Sequence, residues 1–259
     1  MTTKDRSGAG DPVRTLELLW REAGQEAPVG RRGPRQGLTV DAVIAQALAL
    51  ADEQGLAALT MRALAGRLGV TPMSLYTYVP GKAELLDLML DEAYGRMRGP
   101  APVRPRRPDG AEPWRRRVTR IAEENRELLR RHPWIADLAV TRPPLGPGVI
   151  SKYEYELGAF DGIGLTDAEM DAALTHLLGF VHANVLAEAD AAAHNARQSD
   201  DEWWEVSAPL LERVMHAERF PLANRVGSTV GAYDPQVAWE FGLDCVLDGL
   251  ARRIEARGA

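Results

Sequence analysis

Residues 60 to 82, TMRALAGRLGVTPMSLYTYVPGK, constrain this chain more than any other stretch, because they fit two short helices hinged at a glycine and little else. Thr60 is placed to cap a helix whose Met61, Leu64, Ala65 and Leu68 share one face at the 3.6-residue period, and Gly69 ends it. Thr71 offers a second N-cap, and Pro72 stands at the first helical position, where its missing N–H removes no hydrogen bond. The pattern is a helix-turn-helix. Its second helix runs about seven residues, roughly 10 Å, and lays little more than one turn against base edges. Leu75 and Val79 face inward, which leaves Thr71, Met73, Ser74, Thr77 and the phenols of Tyr76 and Tyr78 outside. Hydroxyls suit phosphate oxygens, and so does Lys82, which opens a further helix whose free amides favour an anion. A plain helical hairpin in a core would explain Leu-Gly-Val alone; two caps, the turn and the hydroxyl cluster together favour a DNA-reading element.

These residues resemble the TetR family of bacterial repressors. Gly69-Val70, Ser74-Leu75-Tyr76, Val79 and Gly81-Lys82 stand where that family's DNA-reading helix and its exit stand. The preceding segment, Thr39 to Gln54, fits as well: Val40, Val43, Ile44, Ala47, Leu48 and Ala51 form an apolar stripe that Gly55 closes. The resemblance is strongest over 38–98. Beyond residue 112 the chain is similar to the helical C-terminal domain of tetracycline-repressor relatives, through its helix pattern and the phrase Arg131-His132-Pro133-Trp134. The resemblance implies an all-α fold with a three-helix DNA-binding domain at 38–98. A linking helix joins it to a larger helical bundle, 99–259, that binds an effector and dimerises. Residues 1–37 are an extension with a short helix and a basic arm. The implied partners are a double-stranded DNA operator, a small-molecule effector of unknown identity and a second copy of the chain. The tetracycline repressor's metal-chelating residues find no match here, so neither tetracycline nor magnesium carries over, and no cofactor is expected.

A formal net charge of −6 looks wrong for a DNA binder until it is divided along the chain. Residues 31–82 hold six basic side chains against three acidic ones, whereas 83–259 hold twenty-one against twenty-nine. The acidity lies away from the reading element, a polarity that orients a protein on phosphates. One cysteine, Cys245, excludes an internal disulfide framework and suits a reducing cytoplasm, and the N-terminus shows no apolar leader segment. The uncharged stretch Ala172 to Ala187 is shorter than the roughly 20 apolar residues a membrane span needs.

Asp11-Pro12 with Val13, Leu16, Leu19 and Trp20 predicts a short satellite helix. The arm from Pro28 to Gly37 either is a solvated linker or lays Arg31, Arg32 or Arg35 in a narrow minor groove. Ala83 to Met97 is the linking helix. Trp114 to Arg131 and Val149 to Phe160 follow as helices, then a long one from Asp167 to about Ala193 after the favourable start Thr166-x-x-Glu169, and a last one from Pro235 to Arg257. Leu174, Leu178, Val181 and Val185 on the long helix, with Trp239, Leu243, Val246 and Leu250 on the last, form stripes that suit a two-fold four-helix bundle. His176, His182 and Asn184 stand inside the most apolar helix. They either find backbone or water partners, or line an effector cavity walled by Trp134, Phe160, Phe180 and Trp203.

Enzymatic motifs fail on inspection. A Walker A loop ending at Gly81-Lys82 would need glycine at Tyr76 and Ser or Thr at Ala83; no histidine follows a glutamate by three; and Gly227-Ser-Thr-Val-Gly231 places serine one position early. The competing class is a helical-bundle enzyme or carrier whose N-terminal hairpin makes protein contacts. The reading helix lacks Arg, Asn and Gln, the usual bidentate base readers, so readout leans on Thr and Met against thymine methyls, on hydroxyls, and on Thr60, Met61 and Arg62 from the preceding helix.

Overall fold

Threonine and serine caps and helix-starting prolines set most helix boundaries in the structure, a computed structural model that describes residues 7–21, 38–97, 112–138, 143–216, 218–230 and 234–258. The arm carrying Arg31, Arg32 and Arg35 lies outside the described residues. In chain order the helices are α1 (Pro12–Leu19), α2 (Val40–Gln54), α3 (Met61–Arg67), α4 (Pro72–Leu75), α5 (Lys82–Arg96) and α6 (Trp114–Arg131). A single 3-10 turn, Pro133–Ile135, precedes α7 (Pro147–Leu157), α8 (Asp167–Asn195), α9 (Asp200–Val214), α10 (Pro221–Val230) and α11 (Pro235–Gly258). No strand occurs among the described residues, and none of their helices is long and apolar enough to cross a membrane.

Two packing centres share one helix. In the first, Val43, Ile44, Ala47, Leu59, Leu64, Leu75 and Val79, from α2 through the turn after α4, close on α5 through Leu85, Leu86 and Met89, all nearly or fully buried. In the second, Val118 and Ile121 of α6 meet Leu174, Leu177 and Val181 of α8 and Trp239 and Leu243 of α11. α5 belongs to both, packing on α2, on α7 and on α1. Its residues 83–91 are buried all round, the pattern of a helix enclosed by neighbours rather than laid on a surface.

Several sequence expectations change. α1 is no satellite: Asp11 caps it, Leu19 joins the core at 3 % exposure, and the helix lies on α5. The reading helix is four α-helical residues rather than seven. Past Leu75 the chain tightens, with Thr77 N–H donating to Ser74 O at 3.2 Å and Tyr78 N–H to Leu75 O at 3.0 Å. α9 and α10 were not foreseen, although Ser199 and Glu202 form the same reciprocal cap as Thr166 and Glu169.

Candidate nucleic-acid interface

The reading element is held from within by caps and a small apolar core. Thr60 Oγ1 accepts from Ala63 N–H at 3.1 Å and starts α3. Gly69, at φ 68°, then turns the chain in the left-handed conformation, and Val70 N–H reaches back to Ala65 O at 3.0 Å. Thr71 Oγ1 accepts from Ser74 N–H at 3.2 Å and shares a 2.9 Å hydrogen bond with the Ser74 hydroxyl. Leu75 and Val79 have no exposure at all, while Met73 is 76 % exposed. Thr71, Pro72, Ser74, Tyr76 and Thr77 are exposed with it. The Thr77 hydroxyl donates to Ser74 O at 2.6 Å.

Three expected contact residues are less available. Met61 is buried in the core, because the face it shares with Leu64 and Ala65 is the one that packs. Tyr78 and Lys82 are half-buried. Thr60 and Arg62 are exposed, and with Tyr76 and Lys82 they border an open groove of about 750 Å³ that Gly10, Asp11 and Glu84 also line. Arg67 is committed elsewhere: it grips both carboxylate oxygens of Glu53 at 2.6 and 2.8 Å and braces α3 against α2.

Sequence reasoning missed how this element is tied to the bundle. Asp52, near the end of α2, accepts hydrogen bonds from the Trp134 indole at 2.8 Å and pairs with His132 Nδ1 at 2.8 Å. The phrase Arg131-His132-Pro133-Trp134 therefore docks the bundle onto the reading head. Trp134 serves as that anchor through its indole N–H. Asp91, buried on α5, accepts from Val149 N–H at 2.8 Å and so caps the first turn of α7 across the packed interface. Burial raises its carboxyl above the ordinary value of 3.8, against the lowering pull of those backbone donors. Further along the same contact, Lys152 donates to Glu156 at 2.6 Å and lies 4.8 Å from the centre of the Tyr94 ring, while Asn125 also donates to Glu156 at 2.6 Å. Burial pushes the Tyr94 phenol up to about 12 and the Lys152 ammonium down. The i, i+4 spacing of Lys152 and Glu156 was the available sequence signal.

The remaining expected effector residues do not converge on one described cavity. His176 is exposed, and His182, also exposed, bonds Ala136 O at 2.9 Å through Nε2. Asn184 donates to Phe180 O at 2.9 Å, one helical turn back. Phe160 is fully buried; Phe180 is half-buried with its ring 5.2 Å from that of Trp239; Trp203 stands exposed beside Trp204 on α9. Most of the residues expected at a dimer contact are buried inside the chain. Leu174, Val181, Val185, Trp239 and Leu243 are buried, and Leu178, Val246 and Leu250 pack against the same core. Among the described residues, the opposite faces of α8 and α11 are exposed and include His176, Gly179 and Ala183 on α8 and Val237 and Phe241 on α11.

Comparison with known proteins gives this geometry its context. Residues 43–89 match the family model described as bacterial regulatory proteins, tetR family, and residues 105–254 match the tetracyclin repressor-like C-terminal domain. The chain is 38 % identical over 257 residues to the HTH-type transcriptional repressor DrrR1 of Streptomyces coeruleorubidus, covering 98 % of this chain and 90 % of that one. It is 30 % identical over 220 residues to the class A tetracycline repressor protein from transposon 1721 of Escherichia coli, covering 83 % of this chain and 92 % of that one. Among solved structures, ActR of Streptomyces coelicolor in complex with actinorhodin aligns with a TM-score of 0.66 at 28 % identity, over 83 % of this chain and 96 % of that one. Matches to the helix-turn-helix, to the bundle behind it and to repressors over nearly the whole length place this chain in the TetR family of bacterial regulatory proteins.

Proposed function

We propose that this chain is a homodimeric cytoplasmic repressor that holds a palindromic operator and lets go of it when a small molecule enters the bundle. The observation that carries the reading is the division of residues around α4: Leu75 and Val79 fully buried, Met73 and the hydroxyls of Thr71, Ser74 and Tyr76 outside. A helix with that division is built to touch something polar on its outer side. Met73 and Thr77 are placed against base edges, and Thr71, Ser74, Tyr76, Arg62 and Lys82 against the phosphate backbone. Arg31, Arg32 and Arg35 are assigned to the adjacent minor groove. The chain acts by binding, and its domains are taken as 38–98 for DNA and 99–259 for effector and dimer.

The second copy is proposed to pack on the free faces of α8 and α11, where His176, Gly179 and Ala183 stand opposite the buried stripe of α8 and Val237 and Phe241 opposite that of α11. Exposed Val206 and Leu210 of α9 extend that surface. ActR has been captured with actinorhodin, which supports a small-molecule effector here, seated near Phe160, Phe180 and Asn184. A gel shift on the DNA immediately upstream of the coding sequence, repeated across a salt series, tests the reading. Retarded complexes whose affinity falls steeply with salt are expected. A purified dimer that leaves this DNA and a random genomic pool equally unshifted would overturn it.

A further inference from the structure

We propose that residues 7–21 form a strap, a further mechanical link between reading head and bundle that runs in parallel with α5 and with the Asp52–Trp134 contact and helps to fix the angle between them. The proposal deepens the reading of the chain as an operator-binding regulator and rests on it for its functional consequence.

The strap touches α5, the segment just before α7 and the start of α2. At its start, the Ser7 hydroxyl donates to Asp87 Oδ1 at 2.5 Å and Gly8 N–H donates to the same oxygen at 2.9 Å. Asp11 N–H reaches Glu84, one turn earlier on α5, at 3.4 Å. Thr15 and Leu19 are then buried as α1 lies along α5. At its end, the Trp20 indole donates to Leu145 O at 2.8 Å, just before α7, while Arg21 pairs with Asp41 in the first turn of α2. The strap thus grips the bundle with Trp20 and the reading head with the next residue, Arg21.

Asp87 supports a positioning role over simple cover. It is 1 % exposed, and its hydrogen bonds among the described residues come from Ser7 and Gly8. A leucine would suit a helix that only needed covering. A buried carboxylate is tolerated only while its donors stay in place, so the seat of α5 depends on the position of the strap. Beside it, a cavity of about 200 Å³ bounded by Leu16, Leu19, Pro143, Pro144, Leu145 and Asp87 leaves the strap room to shift against the bundle.

The test is a single-molecule energy-transfer measurement within one chain of the full-length protein. Dyes are attached at Ala45→Cys on α2 and Glu123→Cys on α6, both exposed, in a Cys245→Ser background, with unlabelled protein in excess. The parent should give one narrow distribution. Ser7→Ala combined with Trp20→Phe should shift or broaden it and weaken binding to the upstream DNA by about fivefold or more, the low end of ordinary coupling between sites; Ser7→Thr, which keeps the hydroxyl, should return the distribution to that of Trp20→Phe alone when it replaces Ser7→Ala. Because Trp20 is 56 % exposed, Trp20→Phe alone remains foldable if the double variant does not, and it should show the same shift in smaller measure. Distributions that superpose on the parent, even with a lowered melting temperature, would overturn the strap. The distance readout needs no DNA, so failure of the operator reading would show separately, in the parent's gel shift.

Discussion

Gly148→Ala is the sharpest perturbation that the contact between α5 and α7 allows. A Cβ at Gly148 would lie 1.9 Å from the Asp91 carbonyl oxygen, and both the carbonyl carbon and Gly95 N stand within 3.0 Å. These are backbone atoms of α5, so no side chain can swing aside. Ordinary contact begins at 3.4 Å, and α5 and α7 must therefore separate by about 1.5 Å. Two costs follow. Overpacking a well-filled contact destabilises by about 1–3 kcal/mol, and the Asp91 bond to Val149 N–H lengthens from 2.8 Å beyond useful range. The displacement also travels along α5, whose N-terminal turn belongs to the reading head. With both subunits affected, the half-site separation changes by up to about 3 Å out of roughly 34–36 Å. Base contacts tolerate far less, so losing one contact per half-site is expected to cost about 1–3 kcal/mol per site, tenfold or more in operator Kd. Urea denaturation and anisotropy titration on the upstream DNA measure the two effects. Gly66→Ala in α3, whose Cβ would meet nothing within 4 Å, is the stability control and should gain about 0.5–1 kcal/mol. A Gly148→Ala protein as stable as its parent and equally tight on DNA would refute the argument that this contact sets the position of α5.

Other outcomes follow from the same geometry. Leu75→Ala should lose about 2–5 kcal/mol of stability, whereas Met73→Ala should stay within about 0.5 kcal/mol and change base preference in a binding-site selection; equal effects on stability would contradict the inside and outside assigned to α4. Trp134→Phe should lose about 1 kcal/mol with its hydrogen bond to Asp52 and loosen amide-exchange protection at the end of α2; unchanged exchange there would remove Asp52 as a docking point. Burial raises both Asp87 and Asp91, so the folded chain holds these protons more tightly than the unfolded one. Their stabilising contribution is complete below the ordinary value of 3.8 and is lost as pH rises through the raised native values. The Asp87→Asn, Asp91→Asn double variant should therefore compare better with its parent at pH 7 than at pH 4 in urea midpoints, and a reversed trend would show the sign to be wrong.

How much of this was legible in sequence depended on whether the signal was local. Thr60, Gly69, Thr71 and Pro72 each act within four residues of themselves, and the helix-turn-helix was readable for that reason. The extent of α4 was not, because the point where a short helix tightens depends on how Val79 must turn inward. The long helices were visible by period, yet period cannot say which of two apolar faces meets the chain's own core, and α8 and α11 bury the stripe assigned to a partner. Polar contacts between residues distant in sequence were invisible in principle. Asp52 with Trp134, 82 residues apart, and Ser7 with Asp87, 80 apart, leave no mark at either position beyond an ordinary residue type. The buried acids on α5 do carry a local signal in their spacing, since 84, 87 and 91 fall on one helical face.

Those three acids also bear on how a signal could pass through α5. Leucine or methionine would bury the same surface, and hydrophobic contact would survive an ångström of sliding, because it is not directional. A buried carboxylate behaves differently: its hydrogen bonds have a narrow range of length and angle, and leaving it unpaired in a low-dielectric setting is strongly unfavourable. Glu84 and Asp87 hold α5 to the strap at two points, and Asp91 holds it to α7. Intermediate positions of α5 break some of these bonds without forming others. The helix is consequently restricted to seats in which its carboxylates find donors, and such discrete alternatives are what an effector needs if it is to bias one state over another. A smoothly greased α5 would yield by degrees and transmit little. One latched at three points moves together or not at all.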